Sequence, residues 1–129
     1  MKRHRILVVD DSPTIRVKML ELLSTSFDCF EAINGKDGFE KALLERPDAV
    51  VADLEMPEMD GIGLLRAMRA DGRTQRIPVV IATTVTAIER VNECRALGCA
   101  GFVLKPVQKE YLLAKLRQLI LSRAGQPTS

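Results

Sequence analysis

The sequence predicts an α/β fold in which helices cover both faces of a doubly wound, five-stranded parallel sheet. Five short apolar runs alternate with five segments of helical pattern along the 129 residues. Four of these runs are continuously apolar, which is typical of strands buried on both faces of a parallel sheet. Strands that alternate with helices form right-handed crossovers, and these place helices on both sides of one sheet.

The order of the strands follows from the polarity of the second run. The predicted strands are Ile6–Val9, Cys29–Ala32, Ala49–Ala52, Ile77–Thr83 and Phe102–Leu104. Asp28 and Glu31 make the second run more polar than the others, which suits an edge strand. A flavodoxin-like sheet of order 2-1-3-4-5 places this run at an edge, and we expect that order.

Residues that favour helix termini separate the runs. In chain order these signals are Ser12-Pro13, Asn34-Gly35, Arg46-Pro47, Asp71-Gly72 and Gly98. Asp71-Gly72 closes the third helical pattern, which spans Gly61–Ala70. Thr86 and Glu89 have the spacing of a capping box, so we expect the fourth helix to begin after Thr86. The fifth helix has an apolar face made of Leu112, Leu116, Leu119 and Ile120.

Length and composition are those of a single globular domain. We expect this domain to span residues 1–124, with a flexible tail at 125–129. Hydrophobic residues make up 47% and charged residues 28%, and the net charge of +2 does not indicate a nucleic-acid or anionic-membrane partner. The sequence has neither an apolar run of about 20 residues nor a signal-peptide pattern, so we expect a cytoplasmic protein.

Cysteine and histidine are too few for several kinds of site. Cys29, Cys94 and Cys99 are odd in number and match neither CxxC nor a metal-binding spacing, so we expect buried free thiols. His4 is the one histidine. A histidine-based metal site and a Ser-His-Asp triad are therefore excluded.

Polar residues follow four of the predicted strands. Asp10-Asp11 follows the first strand, Asp53 the third and Lys105 the fifth, and Thr83-Thr84 lies at the end of the fourth. Each could by itself be a loop or surface residue. Because ligands of such sheets bind at the carboxyl ends of the strands, their coincidence at one edge predicts a functional site.

The chemistry of this set favours a hard cation and phosphoryl transfer. Asp10, Asp11 and Asp53 would repel one another unless a cation lay among them. Ligands that are all oxygen suit Mg²⁺, which takes few carboxylates and accepts a phosphate oxygen. A carboxylate shielded by the ion can attack phosphorus to give an aspartyl phosphate. An ammonium and a hydroxyl would neutralise the remaining phosphoryl oxygens.

The motifs resemble those of the receiver domain of two-component response regulators, including the chemotaxis-regulator type, over residues 5 to about 123. The matching segments are Leu7–Ser12, Asp53–Gly61, Pro78–Thr83 and Gly101–Pro106. The resemblance implies that Asp53 is the phosphoacceptor and that Lys105 pairs with the phosphoryl oxygens. It implies Mg²⁺ ligands from Asp10, Asp11, Asp53 and the backbone carbonyl of Glu55. It also implies a cis peptide bond before Pro106.

The resemblance further implies a switch. Thr83 matches the switch hydroxyl and Phe102 the switch aromatic, and the readout surface is the fourth helix, fifth strand and fifth helix. Candidate exposed contacts on this surface are Arg90, Arg95, Lys109 and Tyr111. The implied partners are a sensor histidine kinase or phosphotransfer protein, and a downstream target or an output domain lost from a longer chain. The implied activity is phosphoryl acceptance with slow self-dephosphorylation, without other enzymatic activity or direct nucleic-acid binding.

Other readings are weaker, and some positions depart from the family pattern. Asp10-Asp11 would repel a flavin phosphate, and a haloacid-dehalogenase phosphatase carries its nucleophile on the first strand. A receiver-like module that binds partners without phosphorylation remains the alternative. Thr84 stands where the family mostly has alanine, and Glu55 adds a negative side chain near the acceptor.

Overall fold

The structure is a computed structural model that describes residues 3–124. Its elements in chain order are β1 Arg5–Val9, α1 Pro13–Leu23, β2 Asp28–Ala32, α2 Gly35–Glu45, β3 Ala49–Ala52, α3 Gly61–Ala70, β4 Val79–Thr83, α4 Ile88–Ala96, β5 Gly101–Leu104 and α5 Lys109–Ala124. The five strands are parallel in the order β2-β1-β3-β4-β5, which confirms the predicted sheet. The tail at 125–129 lies outside the described residues.

Apolar side chains cover both faces of the sheet, because successive residues of each strand point to opposite sides. One core layer joins alternate residues of the central strands to α2, α3 and α4: Leu7, Val9, Val50 and Ile81. The other layer joins the intervening residues to α1 and α5: Ile6, Val8, Val51 and Val80. Strand β2 is partly exposed, as expected of an edge strand. Within residues 3–124, no helix is both long and apolar enough to cross a bilayer.

The fourth strand begins two residues later than predicted. Ile77 donates its backbone amide to the carbonyl of Thr74, 3.1 Å away, and so belongs to the preceding turn. Pro78 has no amide hydrogen and cannot donate to the sheet, although its carbonyl accepts from Val50 at 2.9 Å. The ladder therefore starts at Val79. Differences of this size are ordinary for strand and helix ends.

Side-chain caps fix the first turns of α1, α2 and α3. The side chains of Ser12, Asn34 and Asp60 each accept a backbone amide hydrogen bond as N-caps. The capping box predicted at Thr86 is wrong. Ala87 is the N-cap of α4, without a side-chain hydrogen bond, and Thr86 is exposed. Ile88, the first residue of α4, is 67% exposed and does not belong to a buried apolar face.

The cysteines are free thiols, but they differ in burial. Cys94 is fully buried against α4's neighbours, whereas Cys29 and Cys99 are half-buried, so the expected burial is complete for Cys94 only. Removal from water raises the thiol pKa of Cys29 and of Cys94 to about 11. Both thiols therefore stay protonated, and unreactive as nucleophiles, at neutral pH.

The loop between β3 and α3 is pressed against the end of β3 at Gly61. A Cβ atom at Gly61 would lie 2.4 Å from the carbonyl oxygen of Asp53, closer than any side chain allows. The Gly61 amide donates to the carbonyl of Leu54 at 2.8 Å, which holds the helix start in this position. Absence of a side chain at Gly61 thus lets α3 begin directly beside the strand end that carries Asp53.

This contact predicts unequal effects of two glycine substitutions. Gly61→Ala should lower the free energy of unfolding by about 1–3 kcal/mol, because the methyl group forces the backbone at Asp53 to move. Gly72→Ala is the matched control: no atom lies within 4 Å of its Cβ position. Its effect should stay within about 0.5 kcal/mol. Urea unfolding measures both, and equal losses would contradict the steric explanation.

Candidate functional site

The register of the sheet brings the predicted acids to one edge. Val9 pairs with Ala52, so β1 and β3 end at the same level. Asp10 and Asp53 directly follow these two residues and lie side by side. The amide of Asp53 donates to the carbonyl of Val9 at 2.9 Å, which extends the pairing to the site itself. The backbones of two buried strands therefore fix the positions of the two residues that carry these carboxylates.

Three carboxylates form one cluster. Asp10, Asp11 and Asp53 each offer an oxygen atom, and these oxygens lie within 4.8 Å of one another. Asp10 is only 4% exposed, whereas Asp11 is exposed and Asp53 is intermediate. A set of oxygen donors with one side open to water suits a hard divalent cation that retains some of its waters. The residues present therefore fit Mg²⁺.

Lys105 lies against the cluster from β5. Its ammonium group is 2.7 Å from Asp10 Oδ2 and 3.6 Å from Asp53 Oδ1, and only 13% of its side chain is exposed. The peptide bond from Lys105 to Pro106 is cis, as the resemblance implies. One ammonium against three carboxylates leaves a net negative charge when all three are ionised. The site therefore attracts a further cation.

Two groups act on the Asp53 carboxylate, one from its own chain and one from β4. The Leu54 amide donates to Asp53 Oδ1 at 2.8 Å. The hydroxyl of Thr83, a residue only 1% exposed at the end of β4, lies close enough to the carboxylate to lower its pKa. Thr83 Oγ1 in turn accepts from the Val85 amide at 3.2 Å, which leaves its hydrogen free for Asp53. The Thr83 hydroxyl therefore influences the Asp53 carboxylate.

Burial sets the acidity of Asp53. Removal from water is the largest effect on the Asp53 carboxyl, and it raises the pKa. The charge of Lys105 lowers the pKa in part, and the charge of Asp10 raises it further. The hydrogen bonds from Thr83 and Leu54 lower the pKa, but they do not cancel the effect of burial. The ionised form of Asp53 is therefore less stable here than in water. A cation placed among the acids would favour ionisation.

Arg16 is a site contact that the sequence did not indicate. Its Nη1 donates to the backbone carbonyl of Asp10 at 2.7 Å, and its Nε donates to Glu31 Oε1 at 2.8 Å. Arg16 lies one turn into α1, where a basic residue is ordinary. Only the proximity of β2 to α1, which is a tertiary property, distinguishes it.

Two predicted positions lie apart from the acid cluster. The Glu55 side chain is exposed and is not a member of the carboxylate group. Phe102 is half-buried and packs on the core layer beneath α2, α3 and α4. Phe102 pairs with Ile81, two residues before Thr83, so it lies on the same face of the sheet as Thr83.

The predicted readout contacts are not equivalent. Arg95, Lys109 and Tyr111 are exposed, as expected. Arg90 is instead ion-paired at 3.2 Å with Asp60, the N-cap of α3, and its Nε is buried without a hydrogen-bond partner in the described part of the chain. Arg90 therefore links α4 to α3 and is not a freely exposed contact.

Comparison with known proteins gives one family. The model of the response regulator receiver domain matches residues 6–117. PilH of Pseudomonas aeruginosa is 35% identical over 117 residues, which cover 90% of this chain and 97% of PilH. The chemotaxis response regulator CheY4 of Vibrio cholerae superposes with a TM-score of 0.83 at 30% identity, covering 92% of this chain and 99% of CheY4.

Some relatives are much longer than this chain. The protein-glutamate methylesterase/protein-glutamine glutaminase of a Nocardioides species is 36% identical over 139 aligned positions, which span 95% of this chain but 37% of that protein. The similarity thus lies in a segment that is nearly a whole protein in PilH and about a third of the methylesterase. From the matched segment, the sheet order and the superposition together, the chain belongs to the response regulator receiver domains of two-component signal transduction.

Proposed function

We propose that Asp53 accepts a phosphoryl group from a phosphorylated histidine and that this modification switches the surface formed by α4, β5 and α5. We assign residues 1–124 to this receiver function. One observation carries the proposal: the Asp53 carboxylate lies 3.6 Å from the Lys105 ammonium, inside a cluster of acids and close enough to the buried Thr83 hydroxyl for that hydroxyl to lower its pKa. An acceptor, a counter-charge and a hydroxyl are the parts that phosphoryl transfer requires.

Asp10, Asp11 and Asp53 would hold Mg²⁺, and the Glu55 backbone carbonyl is a further proposed ligand. Receiver domains bind this ion in the active site. When bound, Mg²⁺ neutralises charge on the phosphoryl oxygens and on the clustered carboxylates. Exposed Asp11 is the main carboxylate ligand in this proposal, because Asp10 is already engaged by Lys105 at 2.7 Å.

The transfer step uses Asp53 as nucleophile. A carboxylate oxygen of ionised Asp53 forms a bond to phosphorus while the phosphorus–nitrogen bond of the phosphohistidine breaks. The bonding electron pair stays on the imidazole nitrogen, which takes a proton from water. Lys105 balances the charge of the transferred group, and the Leu54 amide keeps the carboxylate oriented. No general base is needed, because an ionised carboxylate carries no proton.

The switch runs from Thr83 to Phe102. A phosphoryl group on Asp53 would draw the Thr83 hydroxyl toward its oxygens and away from the contact with Val85. Both Thr83 and Phe102 face the layer of α2, α3 and α4, so movement at Thr83 frees space for the ring. An apolar ring can turn inward without the cost of burying a hydroxyl. The phosphoryl group then favours one of two states, as a switch requires.

Receiver domains act between histidine kinases and downstream effectors. For this chain we propose a sensor kinase or a phosphotransfer protein as the donor. A groove of about 290 Å³ beside Lys105, lined by Ile15, Met19 and Pro106 among others, leaves room for a partner to approach the site. The downstream partner is a target protein or an output domain, and the proposed location is the cytoplasm. Apart from accepting and slowly losing the phosphoryl group, we propose no enzymatic activity for this segment.

The acceptor assignment predicts the outcome of chemical labelling. Incubation with acetyl phosphate and Mg²⁺ should add one phosphoryl group, visible by intact mass and removed by hydroxylamine. Asp53→Asn should abolish the label, because an amide cannot attack phosphorus. Glu55→Gln is the matched control: it removes an exposed acid two residues away and keeps the backbone carbonyl. Labelling of Asp53→Asn at the wild-type level would refute the assignment, and an unlabelled wild type would favour the unphosphorylated interaction module.

The raised pKa of Asp53 predicts a pH-dependent effect on stability. The folded pKa lies above the ordinary value of 3.8, so the ionised carboxylate destabilises the fold at pH values above the folded pKa. In EDTA at pH 7, Asp53→Asn should therefore unfold at a higher temperature than the wild type. The difference should vanish as the pH falls below about 4, where Asp53 is protonated in both states. Added Mg²⁺ should stabilise the wild type more than the variant. A difference independent of pH would contradict this explanation.

The switch proposal predicts separation of capture from signalling. Thr83→Ala should still label at Asp53 but lose most of the chemical-shift changes that beryllofluoride causes around Phe102 and α4 in NMR spectra. Thr83→Ser should retain them, because the hydroxyl is kept. Thr86→Ala is the matched control, since Thr86 is exposed and does not cap α4. Full-sized shifts near Phe102 in Thr83→Ala would disprove the coupling without affecting the acceptor chemistry.

A further inference from the structure

We propose that Arg16 is a positioning residue for the cation site: its guanidinium holds the Asp10–Asp11 turn in the geometry that lets Asp11 bind a divalent cation. The inference rests on the proposed function, because it concerns the site where Mg²⁺ would bind. It adds a residue from α1, and Glu31 from β2, to a site otherwise made by residues that follow strand ends.

The guanidinium of Arg16 is held by hydrogen bonds to two different parts of the protein. Only 13% of its side chain is exposed, which is low for an arginine on the outer turn of a helix. Nη1 donates to the Asp10 carbonyl at 2.7 Å, and Nε donates to Glu31 Oε1 at 2.8 Å. A planar guanidinium that uses two edges for two fixed partners has little freedom to move. The side chain thus joins α1, β2 and the turn after β1.

The Asp10 carbonyl needs this donor because the sheet does not supply one. The last bond between β1 and β2 runs from the Asp10 amide to the Ala32 carbonyl at 3.1 Å. In a parallel pair the next donor to the Asp10 carbonyl would be the Asn34 amide, but the chain leaves the sheet after Ala32, and within residues 3–124 no such bond is found. A carbonyl beside a nearly buried residue is costly without a partner. Arg16 takes the place of the missing sheet donor.

The Asp11 carboxylate depends on this backbone. Within residues 3–124, no hydrogen bond or ion pair holds the Asp11 side chain, so its direction is set by the turn that carries it. Two side-chain contacts fix the backbone of the turn: the Ser12 amide donates to Asp10 Oδ1 at 2.9 Å, and Arg16 holds the Asp10 carbonyl. The first contact lies within the turn. Lys105 holds the Asp10 carboxylate at 2.7 Å, whereas Arg16 is the side chain from outside the turn that holds its backbone carbonyl.

The charge of Arg16 should weaken cation binding, whereas its proposed positioning role should strengthen cation binding. A guanidinium near a cation site repels the cation, and Glu31 compensates part of that charge. If Arg16 affected the site through charge alone, its removal would tighten Mg²⁺ binding. If it acts by positioning, removal weakens binding although an unfavourable charge is lost. The sign of the change therefore separates the two roles.

The experiment measures Mg²⁺ affinity of the whole chain by NMR titration without a phosphodonor. Arg16→Gln should bind Mg²⁺ about tenfold more weakly than the wild type, as expected for loss of a group that orients a metal ligand. Arg16→Lys should recover part of the loss, because an ammonium can still reach the carbonyl but lacks the second edge. Glu31→Gln should weaken binding by a smaller factor. Asp11→Ala, which removes a proposed ligand, sets the largest loss.

Arg5→Gln is the matched control. Arg5 also bonds to a carboxylate and a carbonyl, both from Glu45, but it lies at the opposite end of β1. Its loss should lower stability and leave Mg²⁺ affinity unchanged. In metal-free spectra, Arg16→Gln should shift the amides of Asp11 and Ser12, and Arg5→Gln should not. This comparison excludes a loss of affinity through general destabilisation.

The possible results decide between the two proposals. A wild type that shows no Mg²⁺ binding overturns the proposed function itself. A wild type that binds, with Arg16→Gln equal or tighter, overturns the positioning role and leaves the proposed function standing. Should Arg16→Gln fail to fold, Arg16→Lys and Glu31→Gln carry the test. Unchanged affinity in both would then reject the inference.

Discussion

The gathering of three carboxylates within 4.8 Å is the constraint on which the rest of the structure depends. Like charges at this distance are unfavourable unless compensated, and one lysine cannot balance all of them. Lys105 lies nearer to Asp10, at 2.7 Å, than to Asp53, at 3.6 Å, so of these two acids Asp53 is the less compensated. Two buried parallel strands hold these acids together through their backbones. A site that is unsatisfied without added positive charge is suited to bind a cation and then a phosphoryl group.

Much of the fold and of the candidate site could be predicted because both are encoded in short segments. Continuous apolar runs identified the strands, and the polar residues Asp28 and Glu31 identified the edge strand that fixes the order. Residues that directly follow a strand in a parallel sheet have their position set by strand register. Asp10, Asp53 and Lys105 are therefore found together, as expected.

The features that the sequence did not reveal depend on contacts between distant segments. Thr86 and Glu89 have the spacing of a capping box whether or not the chain enters a helix at Thr86, and here the turn after β4 delays the start to Ile88. Arg16 reads as an ordinary helix residue until β2 brings Glu31 to it. Arg90 reads as an exposed charge until Asp60, thirty residues earlier, is placed beside it. For Arg16 and Arg90 the deciding partner is distant in the sequence, so a local sequence pattern cannot reveal it.

The unequal anchoring of the helices supports the proposed route of the switch. Side chains cap α1, α2 and α3, whereas Ala87, the N-cap of α4, provides no side-chain hydrogen bond. Its hold on the protein lies further along, at buried Cys94 and in the Arg90–Asp60 ion pair. The Val85 amide donates a hydrogen bond to Thr83 Oγ1, and Val85 lies in the short segment that leads into this uncapped turn. A pull on Thr83 by a phosphoryl group would therefore act on the end of α4 that no side chain caps.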